Sequence, residues 1–348
     1  MIADFFKNRR ILITGHTGFK GSWMTQLLLN AGADVLGFSD GVPTEPSLFE
    51  KLGLHERLGE KDVRGDIRDL DALKAVFERF RPEFVLHMAA QPIVRESYKD
   101  PHLTYETNVM GTVNVMECVR CSDSVRSVLN VTTDKVYENP EDNKPRTESD
   151  RLDGFDPYSN SKSCSELVTH AYVRSFLKEK GIPVSTARAG NVIGGGDYAK
   201  DRLIPDCVRA AKKGEAILLR KPGAVRPFQH VLEPLYVYLL ILKGQYEDPS
   251  LAGAYNVGPD EKDCRTVLQM AEAFCRAWGE TASFEAKSDG GPHEADYLRL
   301  DNRKIREVLG WKPVWNAEKA VFMTVEFEKS NSPAACIDGQ IRAFFEEI

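Results

Sequence analysis

The chain has 348 residues, a formal charge of -6 and 42% hydrophobic content, enough apolar material for one large or two modest packed domains. Acidic and basic residues are interspersed, so no basic stripe is offered to a nucleic-acid backbone, and no nucleic-acid partner is expected. The longest strongly apolar stretch, Leu235 to Leu242, falls well short of the about 20 residues that cross a bilayer. Because the N-terminus runs straight into a strand without a signal-peptide core, the chain is read as cytoplasmic, with no membrane partner.

Through the first half, short apolar runs alternate with helix-period stretches, the pattern of a parallel sheet with helices on both faces. Strands are predicted at Arg10 to Thr14, Asp34 to Phe38, Phe84 to Met88, Val125 to Val131 and Val184 to Arg188. The first leads into Gly15-His16-Thr17-Gly18-Phe19-Lys20-Gly21 and then a Leu-rich helix. A strand, a glycine turn and a helix form the setting in which backbone N–H groups approach a pyrophosphate, although the spacing here is Gly-x-x-Gly-x-x-Gly. Gly15, Thr17, Gly18, Phe19, Lys20 and Gly21 are therefore candidate dinucleotide contacts.

The second strand ends at Phe38-Ser39-Asp40, with no Arg or Lys before Lys51. A 2′-phosphate finds little to pair with there, so NAD is favoured over NADP, with Ser39 or Asp40 on the ribose; Lys20 in the turn is the one cation that argues the other way. Asp66-Ile67 either flanks the adenine or makes an ordinary strand-to-helix turn. Leu70, Leu73, Val76, Phe77 and Phe80 then recur at helical spacing behind Asp69, an N-cap, and the helix stops at Arg81-Pro82. His87-Met88-Ala89-Ala90 ends the next strand near the cofactor; Ala89 and Ala90 are candidate contacts and His87 is read as a buried, hydrogen-bonded histidine. Asn108 either orients the catalytic helix described below or simply packs.

The seven cysteines are odd in number and scattered, so reduced thiols are expected. Cys118-Val119-Arg120-Cys121 reads as two residues of a helix, not a redox pair. With no cluster of His, Cys and carboxylate at ligand spacing, no metal is assigned.

After Arg188 the pattern breaks at Gly190-Asn191-Val192-Ile193-Gly194-Gly195-Gly196-Asp197, and a second, smaller domain is predicted to begin. A helix from Glu233-Pro234 to Leu242 and a strand at Ala254 to Val257 return to the first domain. The expected organisation is α/β: a Rossmann-like doubly wound parallel sheet over residues 1–190 plus about 226–259, and a smaller C-terminal α/β substrate-binding domain over about 191–225 and 260–348. Asn331-Ser332-Pro333 sets off a final amphipathic segment.

Two further segments carry chemistry: Thr133-Asp134-Lys135 after the central strand, and Tyr158-Ser159-Asn160-Ser161-Lys162 about one helix on. Tyr158 and Lys162 share a helix face, where an ammonium can lower the phenol's pKa. A phenolate is a base for a sugar hydroxyl and a nicotinamide is the hydride acceptor.

The glycine turn, the Thr after a central strand and the Tyr-x-x-x-Lys together resemble the extended short-chain dehydrogenase/reductases, across nearly the whole chain. Thr133-Asp134-Lys135 is similar to the Thr-Asp-Glu triplet of the nucleotide-sugar 4,6-dehydratases. Gly15 to Trp23, Ala187 to Arg202 and Arg226 to Leu235 narrow the resemblance to the CDP-glucose 4,6-dehydratases, in which Lys replaces the Glu; that group carries Trp where Phe228 stands.

The resemblance implies C4 oxidation of a nucleotide sugar by Tyr158 with Thr133 on the same oxygen, loss of water across C5–C6 with Asp134 as the acid and Lys135 as the candidate base, and hydride return to C6. The product would be CDP-4-keto-6-deoxy-glucose. Adjacent opposite charges on Asp134 and Lys135 favour their ionised forms, so desolvation or the substrate must shift them. The resemblance further places Asn191, Arg202, Arg226, His230 and Arg299 on the substrate and implies a homodimer, formed through the helices around Asn108 to Val119 and around Tyr158. Three alternatives stay open: a dehydratase acting on another nucleotide sugar, a 4-epimerase and a non-catalytic NAD-binding protein.

Overall fold

The computed structural model describes residues 2–279, 281–287, 290–291 and 295–348. Seven strands form one parallel sheet: β1 (Arg10–Thr14), β2 (Asp34–Ser39), β3 (Asp62–Arg64), β4 (Phe84–His87), β5 (Ser127–Val131), β6 (Val184–Ala189) and β7 (Ala254–Val257). Their order is β7-β6-β5-β4-β1-β2-β3, with the reversal of strand order falling between β1 and β4. In such sheets the ligand crevice opens at that reversal, beyond the carboxyl ends of the strands. All six strands expected from sequence are present. β3 was not anticipated: it has three residues, none fully buried, so it lacks the apolar run that marks an interior strand.

Helices cover both faces. They are α1 (Phe19–Asn30), α2 (Leu70–Phe80), α3 (Gly111–Cys121), α4 (Pro157–Tyr172), α5 (Leu203–Lys213), α6 (Leu232–Glu247), α7 (Val267–Trp278), α8 (Ala317–Lys329) and α9 (Pro333–Glu346), with shorter turns between. The stripe on α2 does what its spacing dictates: the Asp69 carboxylate accepts from Ala72 N, Leu73, Val76, Phe77 and Phe80 are buried, and Arg81 closes the helix at φ 53°. One apolar core lies on each side of the sheet, and a third, built from residues such as Ile204, Phe228 and Phe274, belongs to the second lobe.

The end of the chain packs against two of these cores. Val321 and Val325 of α8 face the second-lobe core, whereas Met323 and Phe327 of the same helix, with Ile337 and Phe344 of α9, join the core of the first lobe. Asp338 of α9 accepts hydrogen bonds from Gln26 and Asn30 of α1 at 2.7 Å each. A segment that follows the second lobe in sequence thus completes the first. Its amphipathic stripe declared that it would be covered, but not by which lobe.

Candidate active site

The glycine turn is built so tightly that two of its glycines admit nothing else. Gly15 has φ +78°, and a Cβ there would stand 2.7 Å from Ala89 N; one on Gly21 would stand 2.1 Å from Gly15 O. The turn ends at Gly18, which caps α1 without any side-chain hydrogen bond. The first amides of α1 therefore face outward with no side chain in front of them, and a dinucleotide pyrophosphate fits that N-terminus. Thr17 donates from its hydroxyl to Gly41 O at 2.6 Å, which ties the turn to the end of β2.

At the ribose end the two sequence candidates separate. The Ser39 hydroxyl is buried and bonded to His16 Nδ1 at 2.9 Å, while Asp40, one residue on, is exposed. Ser39 is therefore committed to the protein. His16 in turn is held through Nε2 by Asp62 Oδ1 at 2.8 Å, and Asp62 also takes His55 and Arg64. Burial outweighs the Asp62 carboxylate and lowers the His16 pKa.

Asp66 accepts from Arg68 N at 2.8 Å and from its guanidinium, a turn that starts α2. Ile67 is buried, with its side chain against Gly111. His87 sits between Thr14 and Thr112 at 2.7 and 3.2 Å, buried, with its pKa lowered to about 3 by burial. Cys118 is buried, and desolvation raises its thiol to about 12, an inert group.

The chemistry-bearing residues meet in one cavity. Thr133, Asp134 and Lys135 follow β5, Tyr158 and Lys162 come from α4, and all five line it with Lys20, Ala90, Asn191, Arg202 and Arg226. Tyr158 and Lys162 point there because α4 starts at Asp156, whose carboxylate accepts from Ser159 N at 2.9 Å, with Pro157 in the first turn. Asn108 does orient this helix: its Nδ2 donates to Ser161 Oγ at 2.9 Å and its Oδ1 accepts from Gln91 N at 2.8 Å. A π-helical turn over Glu106–Met110 carries it.

The buried Tyr158 phenol shares the cavity with Thr133. Burial raises its pKa to about 12, against the downward pull of Thr133 and of the Arg202 charge. Lys162 donates to Val131 O at 2.9 Å, and burial lowers its pKa to about 8. The expected depression of the phenol by Lys162 is not seen: the groups that pull it down are Thr133 and Arg202, and desolvation outweighs them. Asp134 is buried; its Oδ1 accepts from the Thr133 hydroxyl at 2.9 Å and its Oδ2 has no protein partner. A buried carboxylate oxygen with nothing to bond is costly unless a ligand meets it.

Among the candidate substrate contacts, Arg202 is paired with Asp197 Oδ2 at 3.0 Å beside the cavity, and Asn191 Oδ1 is buried without a protein partner. Two candidates fall outside. His230 is wholly buried, packed edge-on against Trp23 and Trp315, and burial lowers its pKa to about 3. Arg299 does not line the cavity and pairs with Glu261 at 2.9 Å. Their string resemblance carried no information about which way the side chains point. Lys20, a candidate dinucleotide contact, lines the cavity, and its Nζ donates to the Tyr238 hydroxyl at 3.5 Å. The sequence reading missed Asp197 and Tyr238, the first inside a glycine cluster and the second inside an apolar run that reads as plain core.

A model of the GDP-mannose 4,6 dehydratase family matches residues 12–324, and the chain belongs to that family. It is 43% identical over 333 residues to the CDP-glucose 4,6-dehydratase of Salmonella typhimurium, covering 94% of this chain and 92% of that one. Among solved structures, the UDP-glucose 4-epimerase of Thermus thermophilus in complex with NAD superposes with a TM-score of 0.77 at 25% identity, over 92% of this chain and 99% of that one. The dTDP-glucose 4,6-dehydratase of Bacillus anthracis shares the fold, with a TM-score of 0.76 at 23% identity, over 93% of this chain and 97% of that one.

Proposed function

We propose that this protein is an NAD-dependent CDP-glucose 4,6-dehydratase, a hydro-lyase that converts CDP-glucose to CDP-4-keto-6-deoxy-glucose. The observation that supports it most is the meeting of Thr133, Asp134, Lys135, Tyr158 and Lys162 in one cavity, in a chain 43% identical to an enzyme of that name. Bound NAD supplies the hydride acceptor at C4, the donor at C6 and, when oxidised, a positive charge that draws Tyr158 toward its phenolate. In this reading Tyr158 removes the C4 hydroxyl proton while the Thr133 hydroxyl holds the same oxygen. Asp134, fixed through Oδ1 by Thr133, presents Oδ2 to the C6 hydroxyl and gives it a proton so that it leaves as water. Lys135, in the same cavity, is the candidate base for the C5 proton.

The cofactor is held at the N-terminus of α1 by the turn from Gly15 to Gly21, with Asp40 on the ribose, Asp66 at the adenine and Ala89 and Ala90 along the strand end. Asn191, Arg202 and Arg226 hold the nucleotide sugar, between a cofactor lobe that includes β7 and α9 and a substrate lobe centred on residues 191–225 and 260–320. Among the described residues no helix is long and apolar enough to cross a membrane, and the seven cysteines are free thiols. The homodimer follows the same reading: Met110, Leu167 and Phe176, near or on α3 and α4, are exposed apolar side chains that such an interface would cover.

The test is incubation with NAD and, separately, CDP-glucose, UDP-glucose and dTDP-glucose, each followed by mass spectrometry. Loss of one water from CDP-glucose alone, without net NADH, is expected. No mass change with any of the three would overturn the reading in favour of epimerisation, which is isobaric, or of a non-catalytic NAD protein.

A further inference from the structure

Lys20 belongs by its backbone to the dinucleotide turn and by its side chain to the catalytic cavity. It lines that cavity with Asp134, Tyr158 and Lys162, and its Nζ donates to the Tyr238 hydroxyl at 3.5 Å, 5.7 Å from the centre of that ring. Tyr238 lies on α6 and is wholly buried. Among the described residues no carboxylate forms an ion pair with Lys20. The charged and titratable groups that face it are Tyr158 and Lys162 on α4, Asp134 after β5, Arg202 before α5 and Tyr238 on α6. Lys162 and Arg202 are the cations that act on Lys20, Arg202 is paired with Asp197, and Asp134 is the carboxylate that acts on Lys20 from the cavity wall.

We propose that Lys20 is a further functional residue of the reaction centre, a cation that acts on the nicotinamide end of the bound dinucleotide and favours its reduced form. The inference rests on the NAD-dependent reading given above. In that reading the hydride acceptor must lie within reach of the same sugar carbon that Tyr158 serves, and Lys20 extends from the pyrophosphate side of the turn into that space. Oxidised nicotinamide carries a positive charge that the reduced ring lacks. An ammonium held beside it in a poorly solvated site repels the oxidised form and leaves the reduced form untouched. The consequence is an easier first oxidation of an ordinary secondary alcohol, without Lys20 exchanging any atom with the substrate.

Burial, with the charges of Lys162 and Arg202, lowers the Lys20 pKa to about 7 against the opposing pull of Asp134, so its charge changes within the working range of pH. The bias is present when Lys20 is protonated and fades as pH rises through that value. Lys162 titrates nearby and interacts with Lys20, but with its own pKa at about 8 it stays protonated at the lower pH in wild type and variants alike, so it cancels from the comparison there.

The test is equilibrium binding of NAD+ and NADH to the wild type, Lys20→Met and Lys20→Arg at about pH 6 and about pH 9, either side of the Lys20 pKa. At the lower pH the preference for NADH over NAD+ should be about tenfold greater in the wild type than in Lys20→Met, and the difference should shrink at the higher pH. Lys20→Arg, charged throughout, should keep the preference at both. Equal preferences in wild type and Lys20→Met at the lower pH overturn the proposal and leave the NAD reading standing. Should Lys20→Met fail to fold, a Lys20→Arg preference no greater than that of the wild type at the higher pH overturns it equally. A wild type that binds neither dinucleotide removes the NAD reading, and Lys20's role with it.

Discussion

Arg188 grips Glu166 through Nε at 3.0 Å and Nη2 at 2.9 Å, with both side chains 1% exposed or less. Glu166 stands four residues beyond Lys162 on α4, and Arg188 lies on β6. Thr132 and Thr186 also donate to the carboxylate, and Arg188 reaches on to the Tyr137 hydroxyl at 2.8 Å. The pair fastens the catalytic helix to the sheet just behind Thr133, so that Tyr158 and Thr133 keep their register.

Breaking that pair should be expensive because it strands a buried cation. Glu166→Ala is expected to lower the unfolding free energy by about 3–5 kcal/mol, measured by urea denaturation. A loss under about 1 kcal/mol would show that Arg188 finds water or another partner and that the clamp is not structural.

Tyr158→Phe and Asp134→Asn should fail at different steps. Removing the phenol is expected to cut turnover of CDP-glucose by about 10²–10⁴ and to abolish any appearance of reduced nicotinamide in a single turnover. Asp134→Asn should retain that near-ultraviolet signal while losing the dehydrated product. If the Asp134 variant dehydrates at the wild-type rate, the assignment of the leaving-group acid is wrong.

Gly21→Ala tests the turn. The added methyl meets Gly15 O and His16 Cα, both backbone, and cannot be relieved by a side-chain rotation. NAD+ affinity should fall by about tenfold or more as the first amides of α1 are displaced. Calorimetric titration giving an unchanged affinity would mean that the turn relaxes without disturbing those amides.

Glu233 should give the protein a pH-dependent stability. Its Oε1 accepts from Val314 N and Trp315 N at 2.9 and 2.6 Å, and burial raises its pKa from 4.5 to about 8. A carboxyl whose folded pKa is raised contributes stability that is full below the unfolded value and is lost as pH rises through the folded one. The wild type should therefore lose a few kcal/mol between about pH 5 and about pH 8, on the order set by the shift, and Glu233→Gln should flatten that slope. Parallel slopes for the two proteins in thermal melts would place the titration elsewhere.

The parts of this molecule that local chemistry determines were legible in its sequence. Asp69 before an apolar stripe specifies α2, and the four-residue step from Tyr158 to Lys162 specifies a shared helix face. What depends on side-chain direction was not. Arg226 and His230 stand close together in one string, yet only Arg226 lines the cavity, because the chain turns His230 in among Trp23 and Trp315. Ser39 looked as available as Asp40, since nothing local announces that His16, far back in the chain, claims its hydroxyl. Lys20 read as a phosphate contact because glycine spacing specifies a backbone path and says nothing about where a long side chain goes.

The cofactor lobe draws its outermost strand from residues 254–257 and its last covering helix from residues 333–346, whereas its dinucleotide turn lies at residues 15–21. During synthesis the turn is therefore made early and its lobe closed last, after the second lobe has been threaded through the middle of the chain. Folding must wait on contacts of very long sequence separation, which makes it slow and leaves the face of α1 uncovered in the meantime. A nascent or truncated chain lacking α9 would expose Gln26 and the apolar surface beside it, the place where a chaperone would find it.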